Sequence, residues 1–440
     1  MKVLLVYMNR YRPMAPPPIG IAYLVEPLRR EGHDVKVVDL MFSRDPEGEL
    51  RRAIAGFRPD VAGLSLRNVD NQDMRHTQYF VDDAKRLAGI VKSAGVTTVL
   101  GGTAFTTFPA QMLEYLGADY GIAGQGEESL PRLLASLNTG SLDRGIPGLV
   151  WRENGHIKAN PPDLGGYRSK ARWDLVPMNG YAKGFLAGAV VTKSGCPYRC
   201  AYCNVTTAFG GELRPRNVDD IVGEIRALKA QGTRVITLTD ACFNTPAGYA
   251  KDVLSAIIRS GLKVYLNTTI VPVAGHFDDE LLGLFKKAGG ICASLGAETF
   301  SRRMLRSYNK PFTLEDALAC ARLLDRHKIP FMVQALFGGP GENASTIRES
   351  LDTLRHVHYA SFTYTMGIRL LPGTRLFETA KGEGLVNDAS ELFKPRFYIS
   401  RDLDVQWAER MIKRTMLRYS YRNLKMLPVR ARRALAGIIR

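Results

Sequence analysis

The chain has 440 residues, a formal net charge of +17 and an apolar share of 45%. Its length is about three times the usual domain size and predicts two or three domains. The composition is that of a globular protein, and no stretch approaches the ~20 apolar residues of a membrane span.

The apolar opening Met1–Tyr7 runs at once into Asn9-Arg10-Tyr11-Arg12, too short for a signal-peptide core. Short apolar runs at Lys2–Tyr7, Asp34–Asp39, Asp60–Leu66, Val96–Leu100 and Tyr120–Ala123 predict strands. Helical patterns near Gly20–Arg30, Glu47–Gly56, His76–Ser93, Pro109–Leu116 and Glu127–Leu137 separate them. Strands alternating with helices predict a parallel, doubly wound five-stranded sheet. Its ligand is expected outside the C-terminal strand ends. The segment Gly148–Lys158 reads as a hairpin turning at Asn154-Gly155, and the aperiodic Pro- and Gly-rich stretch Asn160–Tyr181 as a linker.

A second βα series starts at Gly188. Strands are expected at Ala189–Thr192, Arg234–Thr239, Lys263–Thr268, Ile291–Leu295, Phe331–Leu336 and Ser361–Met366, with helices such as Val218–Gln231, Ala247–Ser260 and Ala344–His358. Six parallel strands with crossover helices make a partial (β/α)6 barrel with its site on the C-terminal loops. The expected division is 1–145, a hairpin and linker at 146–184, the barrel at 185–376 and a small helical basic extension at 377–440. From Arg401 to Arg440 eleven Lys/Arg face three acids. This is either a solvated helix face or an attraction for an anionic or membrane-associated partner.

Six cysteines in so long a chain do not make a disulfide framework, which predicts a reducing cytoplasm. Three of them form Cys196-Pro-Tyr-Arg-Cys200-Ala-Tyr-Cys203, just after the first strand of the second series. One loop can wrap three thiolates around an iron–sulfur cube, leaving one iron open for a ligand. Zinc would need a fourth ligand, and no His or further Cys is adjacent. Cys242, Cys292 and Cys320 stand alone and read as small buried side chains.

This C-x3-C-x2-C loop, with the aromatic Tyr202 before its last cysteine, resembles the radical S-adenosylmethionine (SAM) superfamily over roughly Ala187–Leu376. The resemblance implies a [4Fe–4S] cluster on Cys196, Cys200 and Cys203. Its open iron chelates SAM and reductively cleaves it to a 5′-deoxyadenosyl radical. The resemblance further implies SAM contacts from Tyr202, from Asp240 after the second strand, from Glu298 after the fourth and from Gly338-Gly339 after the fifth. An electron donor of the flavodoxin or ferredoxin type is also implied, and no nucleic acid is expected.

The Rossmann-like domain in front resembles the cobalamin-binding subgroup. Three features carry this: the Pro-rich Pro16–Tyr23 after the first strand, Ser65-Leu66-Arg67-Asn68 after the third, and glycine-rich strand ends. The last are Gly101-Gly102-Thr103 and Gly124-Gln125-Gly126-Glu127. Cobalamin is therefore expected against Ser65, Arg67, Asn68, Gly101, Gly102, Thr103, Gly124, Gly126 and Glu127. The D-x-H-x-x-G motif that supplies a lower cobalt ligand elsewhere is absent. Asp325-Arg-His327 is a decoy on a barrel helix. Arg67 and Asn68 are candidates to lie beneath the corrin, or else to cap a strand or pair with Asp70 or Asp73. A nicotinamide site is disfavoured by the missing G-x-G-x-x-G.

The resemblance implies a cobalamin-dependent C-methyltransferase acting on a small-molecule, lipid or peptide carbon. The alternatives are a non-methylating rearrangement, cyclisation or oxidation with the same cofactors, or polar methylation without a radical. A methylthiotransferase is disfavoured because residues 1–195 hold no cysteine for a second cluster. An electron-transfer or interaction module is disfavoured by the open iron. No catalytic side chain is singled out. Tyr364, Arg369 and the segment after Pro372 are candidate pocket residues.

Overall fold

A computed structural model describes residues 1–178, 180–181 and 187–423. The first sheet holds β1 (Lys2–Tyr7), β2 (Asp34–Asp39), β3 (Val61–Ser65), β4 (Thr97–Gly101), β5 (Tyr120–Ile122), β6 (Leu149–Glu153) and β7 (His156–Ala159) in the order β2-β1-β3-β4-β5-β6-β7. The hairpin does not stand apart as linker. It pairs antiparallel with β5, so the sheet has seven strands rather than five. Helices α1 (Ile19–Arg30), α2 (Pro46–Phe57), α3 (Val81–Ser93), α4 (Thr103–Thr107), α5 (Pro109–Leu116) and α6 (Ser129–Thr139) cover it. The helical pattern from His76 begins only at Val81, because residues 70–79 form a bridged loop.

The second half continues with β8 (Gly188–Val190), β9 (Lys193–Ser194), α7 (Val205–Phe209), β10 (Arg214–Pro215), α8 (Val218–Ala230), β11 (Val235–Leu238), α9 (Ala247–Arg259), β12 (Tyr265–Ile270), α10 (Asp279–Lys287) and β13 (Gly290–Glu298). Then follow α11 (Arg302–Ser307), α12 (Leu314–Arg326), β14 (Phe331–Phe337), α13 (Ala344–Leu354), β15 (Ser361–Met366), β16 (Ile368–Arg369), α14 (Arg375–Gly382), β17 (Phe397–Tyr398) and α15 (Val405–Asn423). The strands β8, β11, β12, β13, β14 and β15 pair in parallel in that order, the expected open six-stranded barrel.

Alternate residues of β1 face opposite cores. Val3, Leu5 and Tyr7 join a core that runs through the linker into the barrel. Leu4, Val6 and Met8 face α2, α3 and α5. Residues 368–398, expected largely in a separate extension, fold back onto this second core. Phe393 anchors them, its ring 6.0, 5.8 and 5.7 Å from Tyr79, Phe108 and Tyr115. The basic stretch beyond Asn423 lies outside the described residues. No described helix is long and apolar enough to cross a membrane.

Candidate functional site

Two adjoining cavities open where the two sheets end. One, of about 130 Å³, is sunk into the C-terminal ends of β1, β3, β4 and β5, with Ser65, Gly101, Gly102, Thr103, Gly124, Gly126 and Glu127 in its wall. The other, of about 340 Å³, lies between the halves. Pro16–Pro18, Arg67, Asn68, Gly102 and Thr103 line it from one side, and Lys193, Ser194, Gly195 and Asp240 from the other. Every residue expected at the cobalamin site thus lines one cavity or both.

The walls suit a large flat ligand with polar edges. A Cβ on Gly20, which lines both cavities, would meet nothing within 4 Å. Gly102 has φ +92°, and a Cβ there would sit 2.5 Å from the Leu66 carbonyl oxygen, so only glycine turns the chain here. The Gln125 amide and the Ser194 hydroxyl are buried without a hydrogen-bond partner in the described structure. Such orphans are rare in finished cores and fit a ligand's polar groups. Arg67 and Asn68 do not pair with the nearby acids: Asp70 is taken by Arg369 at 2.8 Å, and Asp73 lies 3.8 Å from Arg75. Glu127 lines the cavity but spends its carboxylate on the linker, accepting from the Arg168 and Ser169 amides and the Ser169 hydroxyl at 2.9, 2.9 and 2.7 Å.

The cysteine loop sits at the mouth of the barrel. The Ala201 amide donates to the Tyr308 carbonyl and its own carbonyl accepts from the Leu376 amide, at 2.8 and 2.7 Å. Asn204 reaches across to Thr107 of the first half at 3.2 Å. Cys196 is buried, and Cys200 and Cys203 half-buried. Among the described residues no three His, Cys, Asp or Glu side chains close on a single-ion site. Three soft thiols on one loop instead suit a cluster.

Cys242 is not isolated. It hydrogen-bonds Cys196, which lowers that thiol's pKa, while burial raises Cys203 to about 11. Sequence reading also missed Lys310. Its ammonium is buried 4.0 Å from the Cys200 sulfur and 3.1 Å from the Tyr202 hydroxyl, and it pairs with Glu298. Burial lowers its pKa against the opposing pull of the three thiols. A lone Lys twelve residues past Glu298 carries no sequence signal of its own.

Three of the expected contacts are engaged within the protein. Asp240 is locked in a buried pair, 2.9 Å from the Lys193 ammonium, and also accepts from the Thr192 amide at 2.7 Å. Its carboxylate braces the strand leading into the cysteine loop and also lines the chamber. Gly338 and Gly339 line neither cavity. Their amides donate to Glu342, at 2.5 and 3.3 Å, and they pack on Ile399 and Tyr308. Arg369 is no pocket residue, because its pair with Asp70 is 2% and 0% exposed. Tyr364 lies under Arg75, whose guanidinium stacks 4.8 Å from its ring and donates to its hydroxyl.

Glu342 also makes a pH prediction. Burial pushes its carboxyl from 4.5 up to about 7, and one oxygen has no partner. Below the unfolded value both states hold the neutral acid. Between the two values the unfolded state ionises while the folded state keeps its proton, so stability falls from about pH 4.5 and levels off above about 7. Wild type is expected to lose about 3 kcal/mol relative to Glu342→Gln between pH 4.5 and 7.5. Urea midpoints across that range check this; parallel profiles would refute it.

Comparison with known proteins gives two family matches, a B12 binding domain over residues 9–134 and the Radical SAM superfamily over residues 190–354. The chain is 27% identical over 423 residues to the tryptophan 2-C-methyltransferase of Streptomyces laurentii, covering 81% of this chain and 70% of that one. It is also 27% identical to an uncharacterized methyltransferase, PH0819, of Pyrococcus horikoshii, over 84% of this chain and 80% of that one. Among solved structures it resembles the radical SAM methyltransferase TsrM of Kitasatospora setae with tryptophan and a SAM analog bound. The TM-score is 0.80 at 28% identity, covering 87% of this chain and 76% of that one. A second structure of that protein holds cobalamin and a [4Fe–4S] cluster.

Proposed function

The chain joins a B12-binding domain to a radical SAM domain and so belongs to the cobalamin-binding radical SAM family; from that premise we propose that it transfers a methyl group from SAM to carbon in the chamber between its two halves. The observation that carries this is the shared cavity, walled by Arg67, Asn68 and Thr103 on one side and by the strand leading into the cysteine loop on the other. When bound, the cluster supplies an electron and a site for SAM, and cobalamin supplies a methyl carrier.

Cys196, Cys200 and Cys203 hold the cluster. Glu298 and Lys310 form an opposite-charge pair beside Cys200. Such a pair can part and re-form around a zwitterion, its carboxylate taking the amino group of SAM and its ammonium the carboxylate. The glycine-lined strand ends and the unpartnered Gln125 amide would receive the cobalamin tail. Arg67 and Asn68 line the chamber with no side-chain hydrogen bond or ion pair among the described residues, so they would be free to meet the corrin. The Lys193–Asp240 pair fixes one side of the chamber, and the interlocked halves hold its two walls in register for the reactants. The acceptor is a small molecule, lipid or peptide, with an anionic one favoured by the basic C-terminus. An external reductant supplies the electrons.

The test feeds SAM with a labelled methyl group to the cofactor-loaded enzyme and candidate acceptors. Labelled product with S-adenosylhomocysteine is expected. A changed acceptor without label would defeat methyl transfer and favour a rearrangement or oxidation.

A further inference from the structure

We propose that the outer face of the cysteine loop is the docking surface for an acidic one-electron carrier protein, gripped by Arg199, Arg303, Arg306 and Arg375. The proposal rests on the reading of this loop as the cluster's holder.

All four arginines are exposed. They come from three segments that the fold ties to one point. Arg199 lies within the loop, and its carbonyl accepts from Asn309 at 2.7 Å. Ala201, two residues on, is held on one side by Tyr308, just past α11, and on the other by Leu376, the residue after Arg375. Arg303 and Arg306 stand three apart on α11, and so on one face of it. Arg303 lies over Gly341, its guanidinium 3.0 Å from where a Cβ would be.

The local acids are already engaged. Glu315 pairs with Arg302, Glu298 with Lys310, and Glu349 accepts from Ser301 and the Arg302 amide. Glu342 is buried, Glu212 pairs with Arg214, and Glu378, one turn beyond Arg375, is exposed. None of the four arginines has an ion-pair partner among the described residues. Nor does any of them line either cavity, so they do not serve the reaction chamber.

A patch of one sign beside a redox centre attracts and orients a partner of the other sign, and the attraction weakens with salt. Four guanidiniums with few competing acids select an acidic protein surface. Their place over the loop selects a carrier that delivers electrons there. In each encounter the carrier gives up one electron and the oxidised cluster gains it; no bond between the proteins forms or breaks.

The experiment uses cluster- and cobalamin-loaded enzyme and an acidic bacterial flavodoxin as the probe. Binding is measured by calorimetry at low and high salt. Reaction rates are compared with reduced flavodoxin and with dithionite, which needs no docking. The triple variant Arg303→Glu, Arg306→Glu, Arg375→Glu is expected to bind flavodoxin about tenfold or more weaker. It should lose flavodoxin-driven turnover in proportion and keep its cluster absorption and dithionite-driven turnover. The triple Arg→Lys variant should keep both. Unchanged flavodoxin affinity in the Glu variant overturns the proposal alone, as does a parallel loss of dithionite-driven turnover while the Lys variant is active. A wild type that holds no cluster overturns the proposal and the reading beneath it.

Discussion

Replacing Cys200 with alanine is expected to abolish the chemistry while leaving the fold in place. The loop does not depend on this thiol for its shape. The Cys203 amide donates to the Cys200 carbonyl at 3.1 Å, and Tyr308 and Leu376 hold Ala201 between them. Backbone bonds of this kind survive the substitution. The cluster would not, because two thiolates cannot replace three on one cube, and the open iron is lost with it. Activity should fall on the order of 10⁴-fold or more, the scale seen when one member of a concerted unit is removed. Iron and sulfide content and visible absorption should fall together in Cys200→Ala. Cys292→Ala should retain them, since that residue lies on β13, outside the cysteine loop. A Cys200→Ala protein with a full iron complement and wild-type turnover would remove the basis for the proposed function.

The second large effect concerns how the halves are joined. Arg216 of the barrel lies in a fork against Glu224, at 2.5 and 3.1 Å, with side chains 4% and 3% exposed. Tyr23 of α1 donates to Glu224 at 3.0 Å and accepts from Arg216 at 2.7 Å. The Ala171 amide of the linker donates to Glu224 at 2.9 Å. One ion pair thus ties the first half, the linker and the barrel. Removing a single partner strands a charge away from water. Arg216→Met is expected to cost about 3–5 kcal/mol, and the double variant Arg216→Met, Glu224→Leu to recover much of it. Urea unfolding of the cofactor-free protein measures both. An Arg216→Met protein within about 1 kcal/mol of wild type would refute the argument. The single variant should also release cobalamin faster, because the chamber lies between the parts it unties.

Glu342 shows how a glycine-rich turn is held by its own side chain. The string Gly338-Gly-Pro-Gly-Glu342 carries a ligand-binding look in sequence. In the fold its amides are consumed by its own glutamate, and its small residues make room for Tyr308 and Ile399. Asp240 is a similar case. A carboxylate at a strand end is legible, but the lysine that neutralises it is seen only once β8 and β11 lie side by side.

Some features are written locally and survive any folding detail. The strand and helix order follows from residue periodicity. The ligand-binding ends of the first sheet follow from glycines placed just after apolar runs. The cluster loop follows from a spacing of three thiols within eight residues. Each is a pattern over neighbouring positions, so the chain by itself determines it. The partners of charged groups are not of this kind. Lys310 meets Cys200 across 110 residues, Arg216 meets Tyr23 across 193, and Arg369 meets Asp70 across 299. Burial makes each of these charges require an opposite or polar partner, but any of several would satisfy it. Which one does so is decided only when the two sheets close on each other, and that closure also makes the strand leading into the cysteine loop one wall of a chamber.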